Sequence, residues 1–148
     1  MLIQTSQAPS ILHVSSLAAV IPAPTRALYA STKAASLLLY QSLAIEHPGI
    51  RFSLVMPSTV EGDFRASAVD GGPVREKDPN KNELKREAVA QRCIQAVDDN
   101  EKTVFIPGYM RLAHLLYWLV PRFIERQART KYNFTHWRGS VFLRRCAY

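Results

Sequence analysis

The chain is expected to be an α/β protein: three short parallel strands with helices on both faces, followed by a C-terminal amphipathic helix. Three observations predict this. Apolar runs of strand length recur at residues 10–15, 51–56 and 103–106. Longer stretches of helical period lie between them and after the last. Turn signals such as Pro48-Gly49 and Pro107-Gly108 separate the two kinds of segment. With 148 residues, 47% of them hydrophobic, the chain can build the core of one domain or of part of one.

Ser10 to Ser15 reads as a buried parallel strand, and His13 within it as a core or cofactor-edge residue rather than a ligand. Residues 17–25 form a loop containing Pro22 and Pro24. A helix starts at Thr25 or Arg26. Its small residues Ala27, Ala30, Ser31, Ala34, Ala35 and Ser36 allow a close approach to another backbone, and Leu37, Leu38, Leu39, Leu43 and Ile45 are expected to supply its buried side. Pro48-Gly49 stops it. Ile50 to Met56 is the second strand, running into Pro57-Ser58-Thr59-Val60-Glu61-Gly62. Asp63 to Glu83 is a polar loop, either a lid over a site or a solvated connection. Leu84 to Asp98 is a helix with Val89, Cys93, Ala96 and Val97 on one face, and Cys93 reads as a small buried side chain. Thr103 to Ile106 is the third strand.

From Arg111 to Lys131 the pattern changes. Leu112, Leu115, Leu116, Leu119, Phe123 and Ile124 make an apolar face, with Arg111, His114, Arg122, Arg126 and Arg129 largely opposite. Pro121 should kink or split this helix. The run Leu112 to Val120 is too short for a bilayer, which needs about 20 apolar residues. Such a helix suits packing over the opening of a site or against a partner subunit, and it also suits peripheral attachment to a membrane surface. The segment 133–148 mixes Phe134, Trp137, Phe142 and Tyr148 with arginines. A disordered or lipid-facing tail is expected there, and no nucleic-acid binding.

The net charge of +7 is unevenly placed. Basic and acidic residues balance over 1–108. Over 109–148 eight basic residues stand against Glu125 alone, so the basic character belongs to the tail. Cys93 and Cys146 are far apart and have no accompanying ligand pattern. No disulfide framework or metal site is expected, and a reducing compartment is the default. The N-terminus has no basic segment before its apolar residues, so no secretory signal is expected. The expected location is cytoplasmic, with peripheral contact to an intracellular membrane as the open variant.

The chemistry is concentrated in three places. Tyr29 and Lys33 are four residues apart, which stacks them on one helix face. An ammonium beside a phenol favours the ionised form, so Lys33 would ready Tyr29 for proton transfer. Ser16, thirteen residues before Tyr29, closes the first apolar run, where its hydroxyl can meet a substrate oxygen. Tyr-x-x-x-Lys alone is a weak signal. The ordered set of Ser16, Tyr29-x-x-x-Lys33 and Pro57-Ser58-Thr59-Val60 closely resembles the short-chain dehydrogenase/reductase family, over residues 8–108.

That resemblance implies a partial Rossmann-like, doubly wound fold and hydride transfer between NADP or NAD and a carbonyl or secondary alcohol. It implies catalytic roles for Ser16, Tyr29 and Lys33. It implies cofactor contacts from Tyr29, Lys33, Pro57, Val60 and Gly62, with Ser58 where the family has Gly and Gly62 where it has Thr. Residues 1–108 would be the C-terminal half of a dinucleotide-dependent reductase domain, and 109–148 a basic amphipathic helix and tail. Partners would be a small-molecule substrate and further copies of the chain. None of the six glycines forms a phosphate-cradling Gly-x-Gly turn. The alternative is therefore an inactive, truncated remnant that acts by binding a membrane or a partner. The strand at 10–15 is expected to leave an open apolar edge, and the isolated chain to be poorly soluble or of low stability.

Overall fold

A computed structural model describes residues 8–62 and 83–132. The expected loop over Asp63–Glu83 and the tail beyond Tyr132 fall outside or nearly outside these residues. The three strands are β1 (Ser10–Val14), β2 (Arg51–Pro57) and β3 (Thr103–Ile106). They form one parallel sheet in the order β1-β2-β3. His13 lies opposite Leu54, and Val55 opposite Val104. The helices are α1 (Ala27–Glu46), α2 (Arg86–Asp98), α3 (Met110–Leu119) and α4 (Pro121–Lys131). The expected α/β class is thus the observed one, and Pro121 splits the last helix, taking up the first position of α4.

β2 is the centre of the sheet and is buried from Phe52 to Pro57. Alternation along it feeds two cores. Val55 packs with Val104 and with Val89, Cys93 and Ala96 of α2. Leu54 and Met56 pack on the other face with Leu37 of α1 and Leu17. Leu17 belongs to a 3₁₀ turn, Leu17–Ala19, within the segment expected to be loop. α2 ends in a Schellman arrangement: Asn100 adopts φ 54°, its N–H reaches Val97 O, and Glu101 N–H reaches Ala96 O. The Arg92–Glu101 ion pair at 2.7 Å closes the same turn.

Two expectations of burial are corrected. On α1 only Leu37 is fully buried, while Leu38 is 65% exposed and Leu39 and Ile45 are also exposed. The sheet receives one narrow stripe of α1, and 20 residues of helix present more leucine than that stripe can hold. On α3 the leucine face points away from the body. Leu112, Leu115, Leu116 and Leu119 are exposed, and the inward stripe is Met110, Ala113, His114 and Tyr117. The narrow seat offered by Phe105 and Val20 takes the His114 ring, which stacks on Phe105 at 5.9 Å and sets Nδ1 3.2 Å from Val20 O. β1 is an edge strand whose Leu12 and Val14 are exposed.

Candidate active site

The site lies beyond the C-terminal ends of β1 and β2, where open α/β sheets commonly hold ligands. The ladder continues one residue past β1, through Ser15 N–H to Val55 O at 2.8 Å. That contact places Ser16 at the mouth. Ser16 caps the 3₁₀ turn: its Oγ accepts from Ala18 N–H at 3.2 Å. The hydroxyl hydrogen then remains for a group in the cleft.

α1 is bound to the end of β1 around Lys33. Ser15 Oγ donates to Lys33 O at 3.4 Å, and Lys33 Nζ donates to Val14 O at 3.3 Å. The same ammonium lies 5.9 Å from the centroid of the Tyr29 ring. The one-face stacking of Tyr29 and Lys33 inferred from their spacing is therefore present. His13 lies beside this group without lining the cleft. It stacks on Tyr40 at 4.4 Å, meets Ser36 Oγ at 3.3 Å, and has its pKa lowered by burial and then by Lys33.

The segment after β2 is held by two short ties. Ser58 N–H donates to Ile106 O at 2.7 Å, and Leu84 N–H to Thr59 O at 2.8 Å. Gly62 is exposed and does not line the cleft, and its φ of 126° suits glycine, so a threonine there would need a different backbone. Cys93 is buried in the α2 core and takes no part. Burial pushes its thiol pKa up, with Arg92 opposing.

One cleft of about 820 Å³ gathers these pieces: Ser16, Tyr29, Lys33, Pro57 and Val60 all line it. Sequence reasoning had not singled out Arg26, or the wall made by Ile124, Ala128 and Lys131 of α4. The available signal was the Ile124–Ala128–Lys131 spacing, which places all three on one side of a helix. It was masked by the stronger leucine pattern before it. Packing of the 111–131 segment over a site opening, weighed from sequence, matches the placement of α4.

The comparisons with known proteins point the same way. The family model for short chain dehydrogenases matches residues 1–71. A short-chain dehydrogenase from Sphingobium yanoikuyae, solved in complex with NADPH, shares this fold, with a TM-score of 0.55 and 17% identity. The match covers 82% of this chain and 44% of that one, so the chain spans less than half the length of that enzyme. No curated protein matches the chain in sequence. Residues 1–71, which include Ser16 and Tyr29-x-x-x-Lys33, are thus similar to short chain dehydrogenases, and the chain's α/β frame is similar to that of one of them.

Proposed function

We propose that the chain provides the catalytic part of an NAD(P)-dependent oxidoreductase of the short-chain type, acting on a carbonyl or a secondary alcohol. The observation that carries this reading is the convergence of Ser16, Tyr29, Lys33 and Pro57 to Val60 on one cleft. They come from three separate elements.

Ser16 donates its hydroxyl hydrogen to the substrate oxygen and orients it. Tyr29 gives that oxygen a proton in reduction and removes it in oxidation. Lys33, whose Nζ lies 5.9 Å from the centre of the Tyr29 ring, would donate to the nicotinamide ribose. The nicotinamide, when bound, supplies or accepts the hydride. Pro57, Val60 and the neighbouring backbone suit its carboxamide edge, with Gly62 just beyond. Among the described residues there is no glycine-rich phosphate cradle, so the fit is to the nicotinamide end of NADP or NAD. The NADPH complex of the structural neighbour supports this choice.

Residues 1–108 would then supply the chemistry, and the two helices α3 and α4 of the 109–148 segment would wall its cleft. Exposed Leu38, Leu39 and Ile45 of α1 support association of copies. The expected location is cytoplasmic, and peripheral membrane contact of 111–131 would use the outer side of the two helices that wall the cleft. Titration with NADPH and NADH, followed by nicotinamide fluorescence, tests the reading. Saturable binding that weakens in Lys33→Met is expected. Failure of both dinucleotides to bind at millimolar concentration would overturn it.

A further inference from the structure

α3 and α4 each have one side on the cleft and another turned out. Met110 and Ala113 of α3, and Ile124 and Ala128 of α4, line the cleft. The opposite side of α3 is leucine: Leu112 is 61% exposed, Leu119 77%, and Trp118 on its flank 73%. The opposite side of α4 is basic, with Arg122, Arg126 and Arg129 all exposed. Phe123 stands exposed between the two sets. Arg129 shares Glu125 at 3.8 Å. A water-facing helix ordinarily shows the reverse of what α3 shows.

We propose that the outer side of α3–α4 docks on the surface of an anionic bilayer. The leucines and Trp118 would enter the headgroup–acyl boundary, and the arginines would meet lipid phosphates. Charge selects this occupant over a second copy. The exposed arginine row is complementary to anionic headgroups, whereas a second copy would bring the same positive charge to the contact. The uncovered edge of β1 does not compete for this face, and the exposed Leu38, Leu39 and Ile45 belong to a different helix, α1. β1, with exposed Leu12 and Val14, is at the opposite edge of the sheet from β3, to which α3 is joined. Among the described residues no helix is long and apolar enough to cross a membrane, so the contact is peripheral. It depends on the placement of these two helices and not on the reductase chemistry.

The test uses the full chain with Trp137→Phe, which leaves Trp118 as the sole indole. It is mixed with vesicles of phosphatidylcholine alone, or of phosphatidylcholine with phosphatidylserine. We expect co-sedimentation and a blue shift of Trp118 emission with the mixed vesicles, both weakened by salt. Leu112→Glu/Leu119→Glu should lower vesicle affinity at least about tenfold with an unchanged circular dichroism spectrum. Arg122→Glu/Arg126→Glu should remove the preference for phosphatidylserine. The proposal is overturned by equal binding of all variants, by no binding of the parent, or by a leucine variant that changes only the molecular mass in solution. Vesicle binding without NADPH binding would refute the reductase reading and leave this one standing. The reverse result would do the opposite.

Discussion

The two faces of the sheet are built to different standards. On one, α2 sets Val89, Cys93 and Ala96 against Val55 and Val104, and all five are buried. On the other, α1 contributes a single fully buried residue, Leu37, and α3 contributes none. That second side supplies most of the wall of the cleft, which lies beyond the strand ends and also takes in Glu61 and Arg86. A face used only for stability can close completely. A face that must admit a ligand leaves its helices attached by narrow stripes, with their remaining apolar surface turned outward.

The same substitution made on both faces should break this comparison or sharpen it most strongly. Val89→Asp buries a charge without a partner in the α2 core, and should cost about 3 kcal/mol or more. Leu39→Asp, on exposed helix, should stay within about 0.5 kcal/mol. Denaturant unfolding of the two variants decides it. Equal losses would mean that α1 is covered after all. Next in size is an effect on chemistry alone. Tyr29→Phe should lower NADPH-dependent turnover of a ketone by about 100-fold while leaving the unfolding midpoint in place. If turnover persists, proton transfer does not pass through Tyr29.

How much of this was legible in the sequence follows the same division. The strands were placed to within a residue, because each is a short apolar run, although only β2 is buried along its length and β1, expected to be buried, is an edge with Leu12 and Val14 exposed. The stripe of α2 was read almost fully, because Val89, Cys93 and Ala96 recur at helical spacing and all three are buried against the sheet. The direction of α3 was not. Periodicity locates an apolar stripe, but it does not say what surface is there to receive it. Only a small seat beside Phe105 and Val20 was there, and His114 filled it. The wall formed by Ile124, Ala128 and Lys131 was hidden for a related reason: these residues line a space, and nothing in their pattern marks the space. Ser16, Tyr29 and Lys33 were visible because their spacings are tied to a strand end and a helix turn.

A smaller effect tests the joint between the faces. Thr25 has φ 63°, a left-handed conformation that a β-branched residue adopts at a cost of about 1–2 kcal/mol. It stands directly before Arg26, which lines the cleft and opens α1 without a side-chain cap. Asparagine tolerates this conformation, so Thr25→Asn should stabilise the chain by about 1 kcal/mol in denaturant unfolding. A loss of stability would show that the threonine side chain makes a contact worth more than the strain.

The smallest expected effect is that of pH on the bond between β1 and α1. His13 is half-buried between Tyr40 and Ser36. Burial, and then the positive Lys33, lower its pKa from the ordinary 6.5. A lowered pKa means that the folded chain takes up the proton less readily than the unfolded chain. The stability linked to His13 is therefore fully present above about pH 6.5. It declines as pH falls from there through the lower folded value. His13→Phe keeps a ring against Tyr40 and removes the titration. Its denaturation midpoint should fall less than that of the parent between pH 7 and pH 5, while the two proteins keep a constant difference above pH 7. An identical fall in both would place the acid sensitivity elsewhere. In that case the ties of Lys33 to Val14 O and Ser15 Oγ would hold the end of β1 whatever the charge on His13.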